Sequence, residues 1–336
     1  MKMDLALLEN HVPIRFLLSP QGPLIRWCYF GDRPFSEPFW DHDVEAQMAR
    51  PAHLFFQPQT TINQLARIVE QVNAPTPSGF IFHMSRCGST LITQLLRSLP
   101  QNIALSEPSV VDSVLRVRQR YPAIPVEQQG EWLRLVVAAA GYPRRPAERS
   151  LFVKFDCWNV SQLPLLRRVF PQVPFVFVYR QPVEVMVSQT TRPGAQMMPH
   201  FVQAESYGIP LDDAIQLTRV QYCARVLASV CRSALEYHQK DPMLLINYQQ
   251  FPDVIWNELA RYWGLNFNAS ELEILRANAG TDAKHPEISF HGDSEQKRQA
   301  ASPELIEETE RLIRPVYDEL EAERAAQLSP RVGERS

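Results

Sequence analysis

The sequence does without disulfide chemistry. Its 336 residues include only five cysteines, Cys28, Cys87, Cys157, Cys223 and Cys231, odd in number, scattered, and with no Cys-x-x-Cys pair. A disulfide framework and a zinc signature are both excluded, and a reducing compartment is the natural setting. No apolar run approaches the ~20 residues of a membrane-spanning helix. The N-terminal stretch is interrupted by Asp4, Glu9 and Asn10, so it makes a poor signal peptide. Positive charge is not in excess either: the net charge is −3. That argues against sequence-independent nucleic-acid binding while leaving room for a local basic pocket. The expectation is a soluble cytoplasmic protein with neither membrane nor nucleic-acid partner, its oligomeric state open.

The chain is 45% hydrophobic and 21% charged, enough to bury a large core. Residues 1–75 read as an N-terminal appendage. VPIRFLLS and LIRWCYF alternate as two strands around a Pro20–Pro23 turn, GDRPFSEPFWDHD reads as loop, and TINQLARIVEQV as a helix capped by Thr61. From 76 to 330 short apolar strands alternate with helices: FIFH, NIALS, LFVKF, FVFVY and MLLINY are the strands, and one long helix is expected from about Leu211 to His238. A final helix is expected to bend at Pro315. The alternation predicts an α/β fold, a central parallel sheet with helices on both faces. There is no internal repeat and no low-complexity tract.

In such sheets ligands sit beyond the carboxyl ends of the strands. The turn after the first strand of the alternating region, Arg86-Cys87-Gly88-Ser89-Thr90 leading into Leu91, lacks the Gly-Lys-Ser/Thr ending of an ATP-binding loop. Its N–H groups at a helix start, the hydroxyls of Ser89 and Thr90, the small Gly88 and the planar charge of Arg86 suit a phosphate or sulfate. An ordinary strand–turn–helix with a serine cap would show the same residues. Cys87, among anion-binding N–H groups, is expected to have a lowered thiol pKa. A Cys-x5-Arg phosphatase loop is set aside because position 93 is Thr93.

A second stretch gives the turn its meaning. In VFVYRQPVEVMVSQ, Arg180 ends a strand and Ser188 follows eight residues later in the next helix. With the 84–90 turn, this resembles the sulfotransferase family and its P-loop-like α/β fold. The resemblance covers about Gly79 to Arg298 and implies 3′-phosphoadenosine 5′-phosphosulfate (PAPS) as sulfuryl donor, with no metal. Its 5′-phosphosulfate would lie on the first turn and its 3′-phosphate on Arg180 and Ser188. LLINYQQF, with Tyr248, is similar to the family's later strand, and LSEPSVV places Glu107 like the glutamate of its protein-tyrosine and bacterial branches. TDAKHPEISFHGDSEQKRQA, with Lys284, Lys297 and Arg298, resembles the loop that closes over the nucleotide. Two departures stand out. Arg86 replaces the lysine of many cytosolic members, and Lys154-Phe155-Asp156 replaces their Lys-x-His, so Asp156 stands where the histidine base would be.

Sulfuryl transfer, like phosphoryl transfer, asks the protein chiefly to position and to neutralise. The catalytic set is then Arg86 and Lys154 for charge, and Glu107 or Asp156 as base toward a hydroxyl or amine of a small-molecule, carbohydrate or peptide acceptor. Glu107 is preferred on motif position. A nucleotide-dependent kinase and a non-catalytic nucleotide-binding relative acting as an interaction module are the alternatives. Asp41, His42 and Asp43 beside Trp40 are expected in a surface loop, and His285, His291 and Asp293 in the polar closing loop rather than around a metal. His83, ending the first strand, is a core histidine with a minor chance of touching the phosphosulfate.

Overall fold

The computed structural model describes residues 9–72, 74–199, 202–280 and 294–328. Alternation around the Pro20–Pro23 turn does produce an antiparallel pair, β1 (His11–Ser19) and β2 (Gly22–Tyr29), which a short β3 (Gln59–Thr61) extends. Val12, Ile14, Phe16, Ile25 and Trp27 turn inward. Thr61 and Gln64 form a reciprocal capping box at the start of the helix Ile62–Glu70, which buries Ile62, Leu65, Ile68 and Val69.

The second sheet contains β4 (Pro77–His83), β5 (Asn102–Ser106), β6 (Ser150–Lys154), β7 (Phe175–Tyr179) and β8 (Leu244–Asn247). All are parallel, in the order β5-β6-β4-β7-β8, with helices on both faces. The strands are buried on both sides, which is why they read as unbroken apolar runs. The N-terminal sheet packs on the helices Ser109–Leu115 and Val126–Ala140, with the Phe16 ring 5.5 Å from that of Trp132. One continuous apolar core runs through both sheets.

Two expected elements differ. The 211–238 stretch is not one helix. Thr218 takes an extended backbone and its side chain accepts the Gln221 N–H at 3.2 Å, so a capping box starts a new helix, Arg219–His238, after a short turn of helix at Leu211–Ala214. Trp40-Asp41-His42-Asp43 is not a surface loop either. It opens the helix Trp40–Met48, with the Trp40 ring packed 5.0 Å from that of Phe35 and the buried Asp43 accepting the N–H groups of Ser36 and Glu37. At the C-terminus the helices Pro303–Leu312 and Arg314–Leu328 meet at Ile313, beside the Pro315 that cannot donate a helical hydrogen bond.

Parallel order brings the ends of five strands to one edge. His83, Glu107, Lys154, Arg180 and Tyr248 each end a strand or follow it directly.

Candidate active site

The turn after β4 is held in a costly backbone conformation. Ser85, Arg86 and Gly88 have φ of 76°, 52° and 80°. Only the glycine adopts this region freely; each of the others costs on the order of 1–3 kcal/mol. The surroundings hold them there. Ser85 donates its N–H to His83 Nδ1 at 3.0 Å, and its hydroxyl accepts from Gln189 and Gln196 at 2.8 and 3.0 Å. Arg86 donates to the Arg192 carbonyl at 2.7 Å. Left-handed Ser85 and Arg86, with Gly88 after them, give the turn the form of a nest, a concavity of N–H groups that suits an anion. Gly88 is also the N-cap of the helix Ser89–Arg97, so no side chain caps that helix. Ser89 and Thr90 are buried at its first turn, and Leu91 is half-buried. A Cβ at Gly88 would stand 2.8 Å from the Tyr248 ring.

Cys87 departs from expectation. Its side chain turns into the core and donates to the Val178 carbonyl at 3.2 Å. Burial pushes its thiol up to about 11, outweighing the hydrogen bond from Ser89 that favours the thiolate. Only the Cys87 backbone remains for an anion.

Beside the turn, Lys154 is almost wholly enclosed (1% exposed) and donates a short hydrogen bond to Glu107 Oε1. Glu107 itself has φ of 54°, its N–H donating to the Lys154 carbonyl at 2.7 Å. His83 Nε2 lies 3.2 Å from Glu107 Oε1, within ion-pair distance but off hydrogen-bond geometry. Because His83 Nδ1 accepts the Ser85 N–H, Nε2 is the nitrogen that carries the proton. Burial lowers the His83 pKa, so the ring is neutral. Burial also pushes the Glu107 carboxyl up, but Lys154 and His83 outweigh it and hold the group well below the usual carboxylate range. Asp156 moves the other way. Burial, with the charges of Glu107 and Asp112, raises its pKa well above the usual range. Two neighbouring carboxyls are thus driven apart, a common mark of acid–base sites. The N-terminal segment reaches this centre as well, since the Phe39 ring lies 5.1 Å from Lys154 Nζ.

At the other end of the edge, the buried Arg180 donates from Nε to Glu184 Oε2 at 2.6 Å and from Nη2 to Ser294 Oγ at 3.1 Å. Ser294 in turn donates to Glu184 at 2.9 Å. The Arg180 guanidinium lies 4.0 Å from the Tyr248 ring centroid, so Tyr248 touches Arg180 and faces Gly88. Ser188 is half-buried on the helix Pro182–Thr191, one turn beyond Glu184 on the same face.

A sequence profile described as "Sulfotransferase family" matches residues 77–261, more than half the chain and all five strands of this edge. The chain belongs to the sulfotransferase family. It is a transferase enzyme, and the chemistry of the family is sulfuryl transfer. Among solved structures it is similar to a sulfotransferase from Alicyclobacillus acidocaldarius, at 15% identity and TM-score 0.42, over 74% of this chain and 96% of that one. A sulfotransferase from Mycobacterium avium shares 11% identity over 73% and 79% of the two chains, with TM-score 0.40. A mouse sulfotransferase complexed with PAP shares 12% identity over 79% and 94%, with TM-score 0.38. No curated protein sequence matches the chain.

Most of the expected residues lie along one edge of the sheet. Arg86 to Leu91 form the turn; Glu107, Lys154 and Asp156 lie beside it; Arg180, Ser188 and Tyr248 form the far end. Lys297 and Arg298 lie on the helix Ser294–Gln299, with Arg298 Nε 3.9 Å from Glu184 Oε1. Lys284, His285, His291 and Asp293 lie outside the described residues. Four features were not expected. Glu184 as the counter-charge of Arg180 was signalled by its i+4 spacing. His83 as the neighbour of Glu107 had only its strand-end position to point to it. Gln189 and Gln196 bracing Ser85, and Phe39 over Lys154, carry no local signal.

Proposed function

We propose that the enzyme moves a sulfuryl group from PAPS to a hydroxyl or amine acceptor by in-line transfer. The observation that carries this reading is the pairing of two anion-binding ends on adjacent strands. β4 and β7 are hydrogen-bonded neighbours through His83 and Val178. The nest after β4 and the Arg180 end after β7 therefore open side by side, as a nucleotide with phosphates at both 5′ and 3′ positions requires. PAPS would supply the sulfuryl group on a phosphate leaving group.

This chain's own residues do the rest. The 86–90 N–H groups and Arg86 hold the phosphosulfate end, and Lys154 faces the charge that builds on transfer. Glu107 takes the acceptor proton; its carboxylate is ionised at neutral pH, its side chain is 21% exposed, and the hydrogen bond from Lys154 orients it. A bound donor that draws Lys154 toward its own oxygens would weaken the Lys154–Glu107 pair and raise the basicity of Glu107 at the moment a base is needed. Phe39 and Asp156 border the acceptor side, and a small-molecule acceptor fits a site whose reactive carboxylate is this enclosed.

The test is nucleotide choice. Adenosine 3′,5′-bisphosphate should raise the melting temperature well beyond 5′-AMP or ATP, and labelled PAPS should pass its sulfate to a member of an acceptor pool. Equal shifts with ATP would overturn the donor assignment.

A further inference from the structure

The two strands that lead into the Arg180 end are tied together from outside the sheet. Tyr179 and Asn247 are register partners at the ends of β7 and β8. The Tyr179 hydroxyl donates to Glu321 Oε1, and Asn247 Nδ2 donates to the same oxygen at 2.9 Å. Arg324 fixes that carboxylate with two hydrogen bonds of 3.0 and 2.8 Å, and Tyr317 accepts the second Asn247 bond at 3.0 Å. Asn247 is also the cap of the turn Tyr248–Gln250. Its Oδ1 accepts the Gln249 N–H at 3.0 Å, and its own N–H donates to Gln250 at 2.8 Å. The next residue after each member of the pair is Arg180 on one strand and Tyr248 on the other, and these two stack at 4.0 Å. One carboxylate on the C-terminal helix Arg314–Leu328 thus holds the residue before each half of the stack.

We propose that Glu321 is a positioning residue for the 3′-phosphate subsite, setting the spacing of the β7 and β8 ends and through it the Arg180–Tyr248 stack. The inference rests on the donor reading above. Glu321 reaches no ligand; it acts through Tyr179 and Asn247. Burial pushes its carboxyl up, but the hydrogen bonds from Arg324, Tyr179 and Asn247 prevail and keep it below its ordinary value. Loss of the carboxylate would leave the Tyr179 hydroxyl only the Leu320 carbonyl, at 3.3 Å, and the Asn247 amide only Tyr317, so no single acceptor would tie the two strand ends together. A phosphate held by a guanidinium in fixed geometry is sensitive to that, whereas the 5′ end of a nucleotide, on the turn after β4, is not.

The experiment compares dissociation constants for adenosine 3′,5′-bisphosphate and 5′-AMP by calorimetry in wild type, Glu321→Ala, Glu321→Gln and Tyr179→Phe. In Glu321→Ala the bisphosphate should bind about tenfold more weakly, the worth of one charged hydrogen-bond arrangement, while 5′-AMP changes less than about twofold. Glu321→Gln should recover most of the loss, because its amide oxygen still accepts from Tyr179 and Asn247. Tyr179→Phe should show a smaller loss with the same selectivity, and it carries the test if Glu321→Ala does not fold. Equal weakening of both nucleotides, or no change in either, would overturn the assignment. A wild-type protein that does not distinguish the two nucleotides would overturn the donor reading and this inference with it.

Discussion

The two ends of the proposed donor site are built in opposite ways. The turn after β4 offers backbone N–H groups in a strained path, with Ser85 and Arg86 at positive φ. The Arg180 end offers side chains in relaxed geometry, already counter-charged by Glu184. Strain of this kind persists only where the surroundings over-determine it, and here Gln189, Gln196, His83 and Arg192 do so. A rigid nest suits the end where charge shifts during reaction, because it needs no reorganisation at that moment. A side-chain site suits an anchor whose charge never changes. The difference predicts that lesions beside the turn will cut rate and lesions at the Arg180 end will cut nucleotide discrimination.

The largest effect is expected beside the turn. Glu107→Gln should lower kcat on the order of 10²-fold or more, with the affinity for adenosine 3′,5′-bisphosphate nearly unchanged. Asp156→Asn should cost less rate. Near-wild-type turnover in Glu107→Gln with none in Asp156→Asn would exchange the two roles. At the other end, Arg180→Met combined with Glu184→Gln, so that no buried charge is left alone, should erase most of the preference for the bisphosphate over 5′-AMP, a factor of about 10–100. Turnover at saturating donor should fall far less. If the double variant keeps its preference and loses its rate, the contrast between the two ends fails.

Stability against pH sharpens the contrast from another side. The Glu107 carboxyl is depressed in the folded protein, so it adds stability above its unfolded value of about 4, lost as the pH falls through the folded value. Asp156 is raised, chiefly by burial and by Glu107. Folding is therefore favoured by its protonation at acid pH, and that contribution is lost as the pH climbs through the folded value. Asp156→Asn removes this second effect, together with the repulsion that Asp156 exerts on Glu107. Its melting temperature should exceed wild type at pH 7–8 and converge with it near pH 4. An equal offset at both pH values would show that Asp156 acts through packing rather than charge.

The strand framework was far more readable in the sequence than the contacts made by the N-terminal segment. Strands buried on both faces leave unbroken apolar runs, so β4 and β7 could be placed from the residues themselves, while the roles of Arg180 and Ser188 come from the family resemblance. The boundary at Thr218 was hidden by helix-forming residues on both sides; the capping box Thr218–Gln221 was the available signal. Trp40-Asp41-His42-Asp43 looked like a polar loop because its anchors, Phe35 for Trp40 and the 36–37 backbone for Asp43, are tertiary. The approach of Phe39 to Lys154 joins residues more than a hundred positions apart and leaves no periodic trace. The thiol of Cys87 was misjudged because N–H groups nearby say nothing about which way a side chain points.

The smallest expected effect probes the contact of the turn's glycine with the Tyr248 ring. At Gly88 an alanine meets two separate obstacles, a φ of 80° and a Tyr248 ring 2.8 Å from the new Cβ. The first costs on the order of 1 kcal/mol wherever the ring lies; the second depends on whether Tyr248 can give, and Tyr248 is held by its stack on Arg180. Gly88→Ala should therefore lower the melting temperature by a few degrees and weaken adenosine 3′,5′-bisphosphate more than 5′-AMP, because the displaced ring disturbs Arg180. In Gly88→Ala with Tyr248→Ala, the extra cost of the alanine should shrink to the backbone part alone, so the two substitutions are less than additive in stability. Strict additivity would mean that the ring moves aside freely, and that the turn and the Arg180 end are not coupled through Tyr248.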